Sequence, residues 1–481
     1  MTRPVVTPEQ MRAVDVAVAA ADGGSLSAAI ERAGWAVADR ARRMLGGTYG
    51  RRVLTVVGPG NNGADGRVVA RVLGEWGASC VVRDAIGFDE RTLSSVSRTG
   101  VIDLVIDAAF GTGFRADGRP AWTPPTVDAP VLAVDIPSGV NGLDGSVHGV
   151  PWRATATVTF GALKPGLILE PGASNCGEVH VADVGLGSHV SALKSDLELF
   201  DDEDVRACWP RRPSDAHKWR SGLFVVAGSS GMTGAAHLVC AGALRAGAGI
   251  VHLASPGMVT DRIAPIEVVR RPVSTLGWSR DVSTMLGERR GFGALVIGPG
   301  LGRDGGVAEG VRRLLVEVDL PVVVDGDGLW AASWGSESLS TLLGRRRAPT
   351  VLTPHDGEYT TLAGSPPGTD RVDAARRLAA SCGAVVLLKG ATTAVADPTG
   401  RCVLVRAGDE RLATAGSGDV LAGIIGAAIA SGAPAFPAAA MAARVHGSAA
   451  LRGASIGLTA GDLPGLVAEV LSSLTEAESS S

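Results

Sequence analysis

Short runs of apolar, often β-branched residues recur along the chain, separated by stretches with helical periodicity such as Asp65–Trp76. In the first half the runs are Val53–Val57, Cys80–Arg83, Leu104–Ala108, Val131–Asp135, Thr157–Phe160 and Val179–Ala182. In the second half they are Leu223–Ala227, Ile250–Leu253, Ala294–Ile297, Val322–Asp325, Val351–Thr353 and Val385–Leu388. Apolar strands that alternate with helices predict parallel sheets covered on both faces. The chain is therefore expected to be α/β, with ligands at the carboxyl ends of strands.

The segment 191–213 interrupts this rhythm, because it is charged and ends in prolines. A chain of 481 residues is also too long for one ordinary core. We therefore predict two α/β domains, residues 1–205 and 206–481, with no fixed-period repeat.

Charge and composition exclude several classes of partner. The formal net charge is −4 with no long basic run, which argues against nucleic acid as the main partner. The most apolar stretch, 421–443, is broken by Gly432, Pro434 and Pro437, so two buried helices are expected there and no membrane span. The six cysteines form no CxxC pair, which suits neither a disulfide framework nor a zinc site. With no apolar leader segment at the N-terminus, these features predict a cytoplasmic protein.

The first strand runs into VVGPGNNGADGR, residues 56–67, which has the Gly58-x-Gly60-x-x-Gly63 spacing of a dinucleotide-binding turn. Glycines let the backbone approach a phosphate, and a helix N-terminus offers free N–H groups. Asp84 lies near the chain distance at which a ribose-binding acid would fall. A purely structural turn is the alternative interpretation.

Polar and acidic residues follow three predicted strands of the first domain. They are Asn61, Asn62, Asp65, Asp107, Asp135 and Ser138. Each aspartate alone could be a helix N-cap or an Asx-turn residue. Acidic residues at the ends of three strands that meet at one crevice favour a binding site over three separate caps or turns. Oxygen ligands of this kind suit a hard cation, either monovalent or Mg²⁺ or Ca²⁺.

The motifs GPGNNGADGR, DAAFGTGFR, DIPSG and FGALKPG together resemble those of the NAD(P)H-hydrate epimerases over about residues 8–190. The resemblance implies a Rossmann-like, doubly wound domain that binds a hydrated nicotinamide dinucleotide and a potassium ion. It assigns the dinucleotide to Asn61, Asn62, Gly63, Ala64, Asp65, Gly111, Thr112, Gly113, Phe114, Arg115, Ala116, Asp117 and Asp135. It assigns potassium to Asn62, Asp107 and Ser138. The family usually has a glycine where Ala64 stands, and a methyl there would matter if that position needs a positive φ.

Epimerising a hydroxylated carbon beside a ring nitrogen requires a proton to move and no hydride. Asp135 is the candidate acid/base, because it lies at a strand end in a crevice where desolvation could raise its pKa. Lys164 could instead stabilise negative charge, or be a solvated lysine.

In the second domain, Gly416-Ser417-Gly418-Asp419 precedes an apolar helical stretch. Backbone N–H groups at such a helix N-terminus could stabilise a phosphoryl group during transfer. Asp419 could take a proton from a substrate hydroxyl. A capped helix after a glycine turn is the alternative, whereas Lys389 and the threonines of LLKGATT favour a nucleotide pocket. The glycines at 228–231 are not a Walker A motif, since no Gly-Lys-Ser/Thr follows them.

HKW-x-x-G, AGS, GPGLG, TPHDGE, LKG and GSGDVLAG occur in order over about residues 215–470 and resemble the ribokinase-like ADP/ATP-dependent NAD(P)H-hydrate dehydratases. The resemblance implies phosphorylation of the ring hydroxyl followed by loss of phosphate, Mg²⁺ with ADP or ATP, and homo-oligomers. It assigns the hydrated dinucleotide to Ala243, Gly302, His355 and Asp419, with Asp419 as the base. It assigns ADP or ATP to Lys389, Gly390, Ala391, Thr392, Thr393, Ala413, Thr414, Ala415, Gly416, Ser417 and Gly418. His355 could instead be a buried, hydrogen-bonded histidine, and His217 and Lys218 are either structural or phosphate-binding.

Three other functions are compatible with parts of the sequence. A ribokinase-like fold could phosphorylate a small vitamin-like alcohol. A redox dehydrogenase is disfavoured, because no His/Arg substrate-domain pattern follows the first glycine loop. A module that binds dinucleotide without turnover is disfavoured by Asp135 and Asp419. The sequence leaves the choice between ADP and ATP open.

Overall fold

The computed structural model describes residues 3–21, 25–114, 121–193, 195–257, 265–288 and 291–476. They form two compact units, which divide between Leu197 and Glu198. The division lies before the expected 205/206 boundary, because Val205 is buried in the core of the second unit. The α/β class predicted from the strand rhythm is confirmed in both units.

The first unit is built on a parallel sheet. After a short strand, β1 (Arg3–Pro4), its strands are β2 (Arg52–Val57), β3 (Ser79–Asp84), β4 (Leu104–Ala108), β5 (Val131–Val134), β6 (Ala156–Phe160) and β7 (Glu178–Ala182). Its helices are α1 (Pro8–Ala21), α2 (Ser27–Leu45), α3 (Asn61–Glu75), α4 (Glu90–Ser97) and α5 (Gly187–Ala192). The sheet order is β3-β2-β4-β5-β6-β7, with every neighbouring pair parallel.

Helices cover both faces of this sheet, because successive strand residues point to opposite sides. Val53 and Val57 pack with α2 and α3, whereas Leu54 and Val56 pack with α4. The first connection from β2 leads to β3 on one side, and the next strand, β4, pairs with β2 on the other. The connections that follow β2 and β4 therefore leave the sheet in opposite directions, which opens the crevice expected at a topological switch point.

The second unit has a larger sheet in the order β8-β17-β16-β15-β14-β13-β12-β9-β10-β11. The strands are β8 (Leu197–Leu199), β9 (Gly222–Val226), β10 (Ile250–Ala254), β11 (Val269–Arg270), β12 (Phe292–Ile297), β13 (Val322–Val324), β14 (Thr350–Leu352), β15 (Val385–Leu388), β16 (Thr393–Ala396) and β17 (Cys402–Val405). Strands β9 to β15 are parallel, as predicted. Strand β16 is antiparallel to both β15 and β17, because the short connections 389–392 and 397–401 can only form hairpins.

The helices of the second unit flank this sheet. They are α6 (Asp202–Cys208), α7 (Thr233–Arg245), α8 (Trp278–Glu288), α9 (Gly305–Glu317), α10 (Asp327–Ser333), α11 (Leu339–Leu343), α12 (Asp356–Ala363), α13 (Arg371–Cys382), α14 (Ser417–Ala430), α15 (Ala435–Arg452) and α16 (Leu463–Glu476). The apolar stretch 421–443 forms most of α14 and the start of α15, which confirms the two buried helices predicted there. Within the described ranges, every helix is too short or too polar to cross a membrane.

Candidate active sites in the two units

The glycine loop after β2 lies against the loop after β4. The Gly58 N–H donates to Ala108 O at 3.0 Å, and a Cβ at Gly58 would overlap Ala109 O. Only glycine permits this approach. Ala64 lies inside α3 and does not have a positive φ, so its methyl group is accommodated without strain.

Asp135 follows β5 and is held by four hydrogen bonds. Its Oδ1 accepts from Lys164 Nζ at 2.9 Å and from Thr159 Oγ1 at 3.1 Å. Its Oδ2 accepts from the N–H and hydroxyl of Thr112 at 3.1 and 2.8 Å. Among the described residues Asp135 is the only non-glycine with a positive φ, 66°, a strained conformation that is common at functional sites.

Lys164 is completely buried, so the solvated-lysine interpretation is wrong. The expectation of a raised pKa for Asp135 is also wrong. Burial alone would raise it, but the ammonium group of Lys164 and the Thr112 hydrogen bonds lower the pKa of Asp135 below its ordinary value. Asp135 is therefore a carboxylate at neutral pH.

Asp65, in the first turn of α3, has the opposite environment. Its side chain is 7% exposed and accepts no hydrogen bond from any residue that the structure describes. Burial, together with the negative charges of Asp135 and Asp15, raises the pKa of Asp65 to about 8. The pKa of Asp15, on α1, is raised by burial and by Asp135. The crevice thus places a protonated carboxyl opposite an ionised one.

The proposed cation ligands lie at the base of the same crevice. Ser138 Oγ is 2.6 Å from Asp107 Oδ1, and the Ser138 N–H donates to Asp107 Oδ2 at 2.9 Å. Both residues are completely buried. Asn62 is 9% exposed, and its two side-chain polar atoms find no partner in the described part of the chain. Such orphaned buried polar atoms need a ligand, an ion or water.

The first unit has a cavity of about 450 Å³, which Asn62 lines and Asp107 and Ser138 do not. Its polar wall includes Asn61, Asn62, Asp65, Asp135, Lys164 and the loop 109–114, and its apolar wall comes from α1, from α2, from Phe160 and from the segment 184–186. Arg115, Ala116 and Asp117 lie outside the described residues. Asp84 is not part of the wall; it is exposed and pairs with Arg67 at 3.0 Å.

In the second unit, residues that follow successive parallel strands meet at one edge of the sheet. Lys389 Nζ, after β15, lies 3.0 Å from Asp325 Oδ1 and 3.5 Å from Glu358 Oε2. Asp325 also accepts from Thr353 Oγ1 at 2.6 Å. Burial alone would lower the pKa of Lys389, but the two carboxylates raise it, so the lysine stays charged.

Helix α14 begins beside this cluster. Gly416, at its N-cap, has φ 91°, and a Cβ there would overlap Leu238. A Cβ at Gly418 would lie 3.5 Å from Lys389 Nζ and 3.8 Å from Asp325 Oδ2. The free N–H groups of the helix therefore lie next to the ammonium group of Lys389, which favours an anion.

Asp419 lies in the first turn of α14 and is half-buried. Burial and the negative charge of Asp325 raise its pKa to about 7, despite the opposing effect of Lys389. A carboxyl group that titrates near neutral pH suits proton transfer.

Comparison with known proteins agrees with both sites. The NAD(P)H-hydrate dehydratase family profile matches residues 223–471, and the YjeF-related N-terminal family matches residues 27–99 and 85–166. A bifunctional NAD(P)H-hydrate repair enzyme of Mycobacterium tuberculosis is 39% identical over 435 residues, covering 86% of each chain. Its counterpart in Moorella thermoacetica is 37% identical over 93% of this chain and 92% of its own. The ADP/ATP-dependent NAD(P)H-hydrate dehydratase of Bacillus subtilis, co-crystallised with ATP and Mg²⁺, superposes with a TM-score of 0.51 at 29% identity, covering 57% of this chain and 98% of its own.

The chain belongs to the bifunctional NAD(P)H-hydrate repair enzyme family.

The residues assigned by resemblance to the repair enzymes differ in how accessible they are. Ala243 is completely buried, and its N atom lies 2.9 Å from where a Cβ on Gly423 of α14 would lie. Its assignment to the dinucleotide stays a prediction. The Gly302 N–H donates to Asp327 Oδ2 at 2.9 Å, and Asp327 is one of the negative charges that raise the pKa of Asp419. The nucleotide segments 389–393 and 413–418 flank the N-terminus of α14 and are mostly accessible, except for buried Thr392.

His355 is not a buried histidine, because its side chain is 60% exposed. It caps α12: Nδ1 accepts from the N–H groups of Gly357 and Glu358 at 3.0 and 3.3 Å. Glu358 Oε2 in turn accepts from the His355 N–H at 2.9 Å. The capping box thus joins His355 to the Lys389 cluster. By contrast, His217 and Lys218 precede β9 and lie at the other edge of the sheet.

Sequence reasoning missed four polar members of this repair-enzyme site: Asp325, Thr353, Glu358 and His446. Asp325 is 2% exposed in VVDGDG, where its position after a β-strand was a signal. No sequence signal pointed to His446, since it lies inside α15. Burial lowers its pKa to about 4, and its Nε2 has no partner among residues that the structure describes.

Proposed function

We propose that this chain repairs hydrated NADH and NADPH. The first unit interconverts the R and S forms, and the second dehydrates the S form at the expense of ADP or ATP. Asp419 carries the proposal, because a carboxyl with a pKa of about 7 stands at a helix N-terminus beside a charged lysine.

In the second unit, Asp419 is the proposed base. Its carboxylate takes the proton of the ring hydroxyl while the hydroxyl oxygen attacks the terminal phosphorus of the nucleotide. The bond between that phosphorus and the rest of the nucleotide breaks, and ATP leaves as ADP or ADP leaves as AMP. Lys389 and the N–H groups of α14 stabilise the negative charge of the phosphoryl group during transfer. The new ester then breaks at the ring carbon and releases inorganic phosphate. A proton leaves the neighbouring carbon, and the ring double bond returns.

Mg²⁺ is proposed to accompany the nucleotide. Across the described ranges, no cluster of three His, Cys, Asp or Glu side chains is arranged to hold a metal alone. Mg²⁺ on phosphates needs only one or two protein carboxylates, and it would neutralise phosphate charge. Asp325 and Glu358 would supply those carboxylates, since both lie beside Lys389.

In the first unit, we assign proton transfer and charge stabilisation to different carboxyls. Surroundings that move the pKa values of two titratable groups apart give the two groups different roles. Asp65, with its pKa near 8, donates a proton to the ring hydroxyl. The C–O bond breaks, water departs, and the ring nitrogen stabilises the planar carbon. Asp135, held ionised by Lys164, stabilises that cation.

Water then adds to the opposite face of the ring carbon and gives the other epimer. The proton that it releases returns through water to the Asp65 carboxylate. This sequence needs no hydride acceptor. It differs from the first expectation by giving Asp135 an electrostatic role.

A potassium ion is proposed at Asn62, Asp107 and Ser138, where it would supply positive charge for the dinucleotide phosphates. The unpartnered Oδ1 of Asn62 and the oxygens of Asp107 and Ser138 fit a large, weakly charged cation.

A cytoplasmic location and a homo-oligomer are also proposed. Free thiols at all six cysteines support a reducing compartment. The oligomer rests on the family resemblance alone.

The test uses both NADPH-hydrate epimers, Mg²⁺ and either ADP or ATP, with recovery of reduced-nicotinamide absorbance as the readout. Wild type should convert both epimers. Asp419→Asn should abolish dehydration and still equilibrate the epimers, whereas Asp65→Asn should stall after the S form is consumed. A stable phosphorylated product would instead indicate the kinase of a small alcohol. Nucleotide binding without turnover would indicate a binding module.

A further inference from the structure

A second cavity of about 400 Å³ lies within the second unit, away from the active site. Its walls come from residues 209–221, from the end of α7, from Ser431 and from α16. Strand β9 starts at Gly222, directly after this wall, and α7 reaches its last residue, Arg245, just before β10. The cavity is therefore at the amino edge of the parallel strands, whereas Lys389 and Asp419 are at the carboxyl edge. The two sites share no lining residue.

The ionisable side chains that line this cavity are all basic. Four arginines line it, Arg211, Arg212, Arg220 and Arg245, with His217, and no aspartate or glutamate does so. The side chains of Arg220 and Arg245 form no hydrogen bond or ion pair with any residue in the described ranges. This concentration of positive charge occurs in a chain whose formal net charge is −4.

Helix capping accounts for only part of the cluster. Arg212 Nη2 donates to Gly247 O at 2.8 Å, which neutralises the carbonyl end of α7. Other arginines of the unit have a carboxylate partner, as Arg411 has Asp409 and Arg444 has Asp202. Arg220 and Arg245 lack such a carboxylate, so their guanidinium groups are available to an anion.

The cavity also has a flat apolar wall. Trp209 is half-buried and packs against the core, so its ring is fixed in position. Leu471 and the prolines 210 and 213 extend this wall. A volume of this size suits a small molecule. A ligand that matches both parts carries phosphate for the arginines and a planar ring for the tryptophan.

We infer that this cavity binds a phosphorylated nucleotide outside both catalytic sites. His217, whose role the sequence left open, then belongs to the nucleotide site at the amino edge. Because its lining is separate from the catalytic cluster, occupancy of this site adds to catalytic nucleotide binding and does not compete with it.

The experiment is equilibrium dialysis of radiolabelled ADP against the full chain at low salt. The variant is Arg220→Glu with Arg245→Glu. The control is Arg280→Glu with Arg347→Glu, which changes charge equally at two exposed arginines outside the cavity. We expect wild type and control to bind one more ADP per chain than the cavity variant. Dehydratase KM for ADP should be the same in all three proteins, which also shows that the variant is folded.

Equal stoichiometry in the cavity variant and wild type would overturn the inference. Inorganic phosphate and Trp209→Ala test the nucleotide part. We expect phosphate to compete at least tenfold more weakly than ADP, and Trp209→Ala to weaken ADP binding at this site without changing phosphate binding. Equal competition by phosphate would mean that only an anion is recognised and would refute a nucleotide site. If the glutamate pair fails to fold, Arg220→Gln with Arg245→Gln should remove the same ADP.

Discussion

Replacement of Asp419 by asparagine should inactivate the dehydratase and stabilise the second unit. The ordinary pKa of 3.8 rises to about 7 in the folded protein, so folding disfavours the ionised form. A difference of about 3 pKa units corresponds to about 4 kcal/mol at pH values above 7, and to about 2–4 kcal/mol after allowance for partial exposure. Asparagine has nearly the same shape and no charge, so it removes this cost.

The sign of the pH dependence follows from the raised pKa. Below about pH 4 both the folded and unfolded forms are protonated, and the variant gains nothing. As pH rises towards 7 the unfolded chain loses its proton first, so the wild type loses stability relative to the variant. The stabilising effect of Asp419→Asn should therefore grow by about 2–3 kcal/mol between about pH 5 and about pH 8.

Urea unfolding of the full chain at both pH values measures this difference. Asp215→Asn is the control, because it removes the same charge from an exposed residue. Dehydratase kcat/KM should fall by about 10²–10⁴-fold in Asp419→Asn, with epimerisation unchanged. In wild type, dehydration should rise with pH through about 7 as the base ionises. A variant that is less stable at pH 8 than at pH 5, relative to wild type, would refute the argument.

Three further changes test other parts of the structure. Lys164→Met leaves the Asp135 carboxylate unpaired, so it should remove epimerase activity and cost about 3–5 kcal/mol in urea unfolding, whereas exposed Lys218→Met should cost little. Gly416→Ala combines positive φ with a clash and should lower both Tm and dehydratase kcat more than Gly364→Ala, which has open space around it; equal effects would contradict the clash. Potassium should raise Tm in wild type more than lithium does, and Asn62→Leu should abolish that difference; a persistent difference would place the ion elsewhere.

The sequence alone determined the α/β class and the positions of most strands. The apolar runs appear within a residue or two as β2 to β7 and as β9, β10 and β12 to β15, because burial on both faces requires continuous apolar residues. The loops that form both sites were also predictable, since strand ends, glycines and acids are local features. The hairpin of β16 (Thr393–Ala396) and β17 (Cys402–Val405) was not predicted.

Only the tertiary structure decided what those residues can do. Lys164 lies 29 residues from Asp135, and Lys389 lies 64 residues from Asp325, yet each pair is in direct contact. These contacts lower the pKa of Asp135 and keep Lys389 charged, while burial raises the pKa of Asp65 and Asp419. The arginines at the amino edge come together from separate segments of the chain. Periodicity is a property of neighbouring residues, whereas desolvation and charge interaction depend on distances in space that the chain order does not contain.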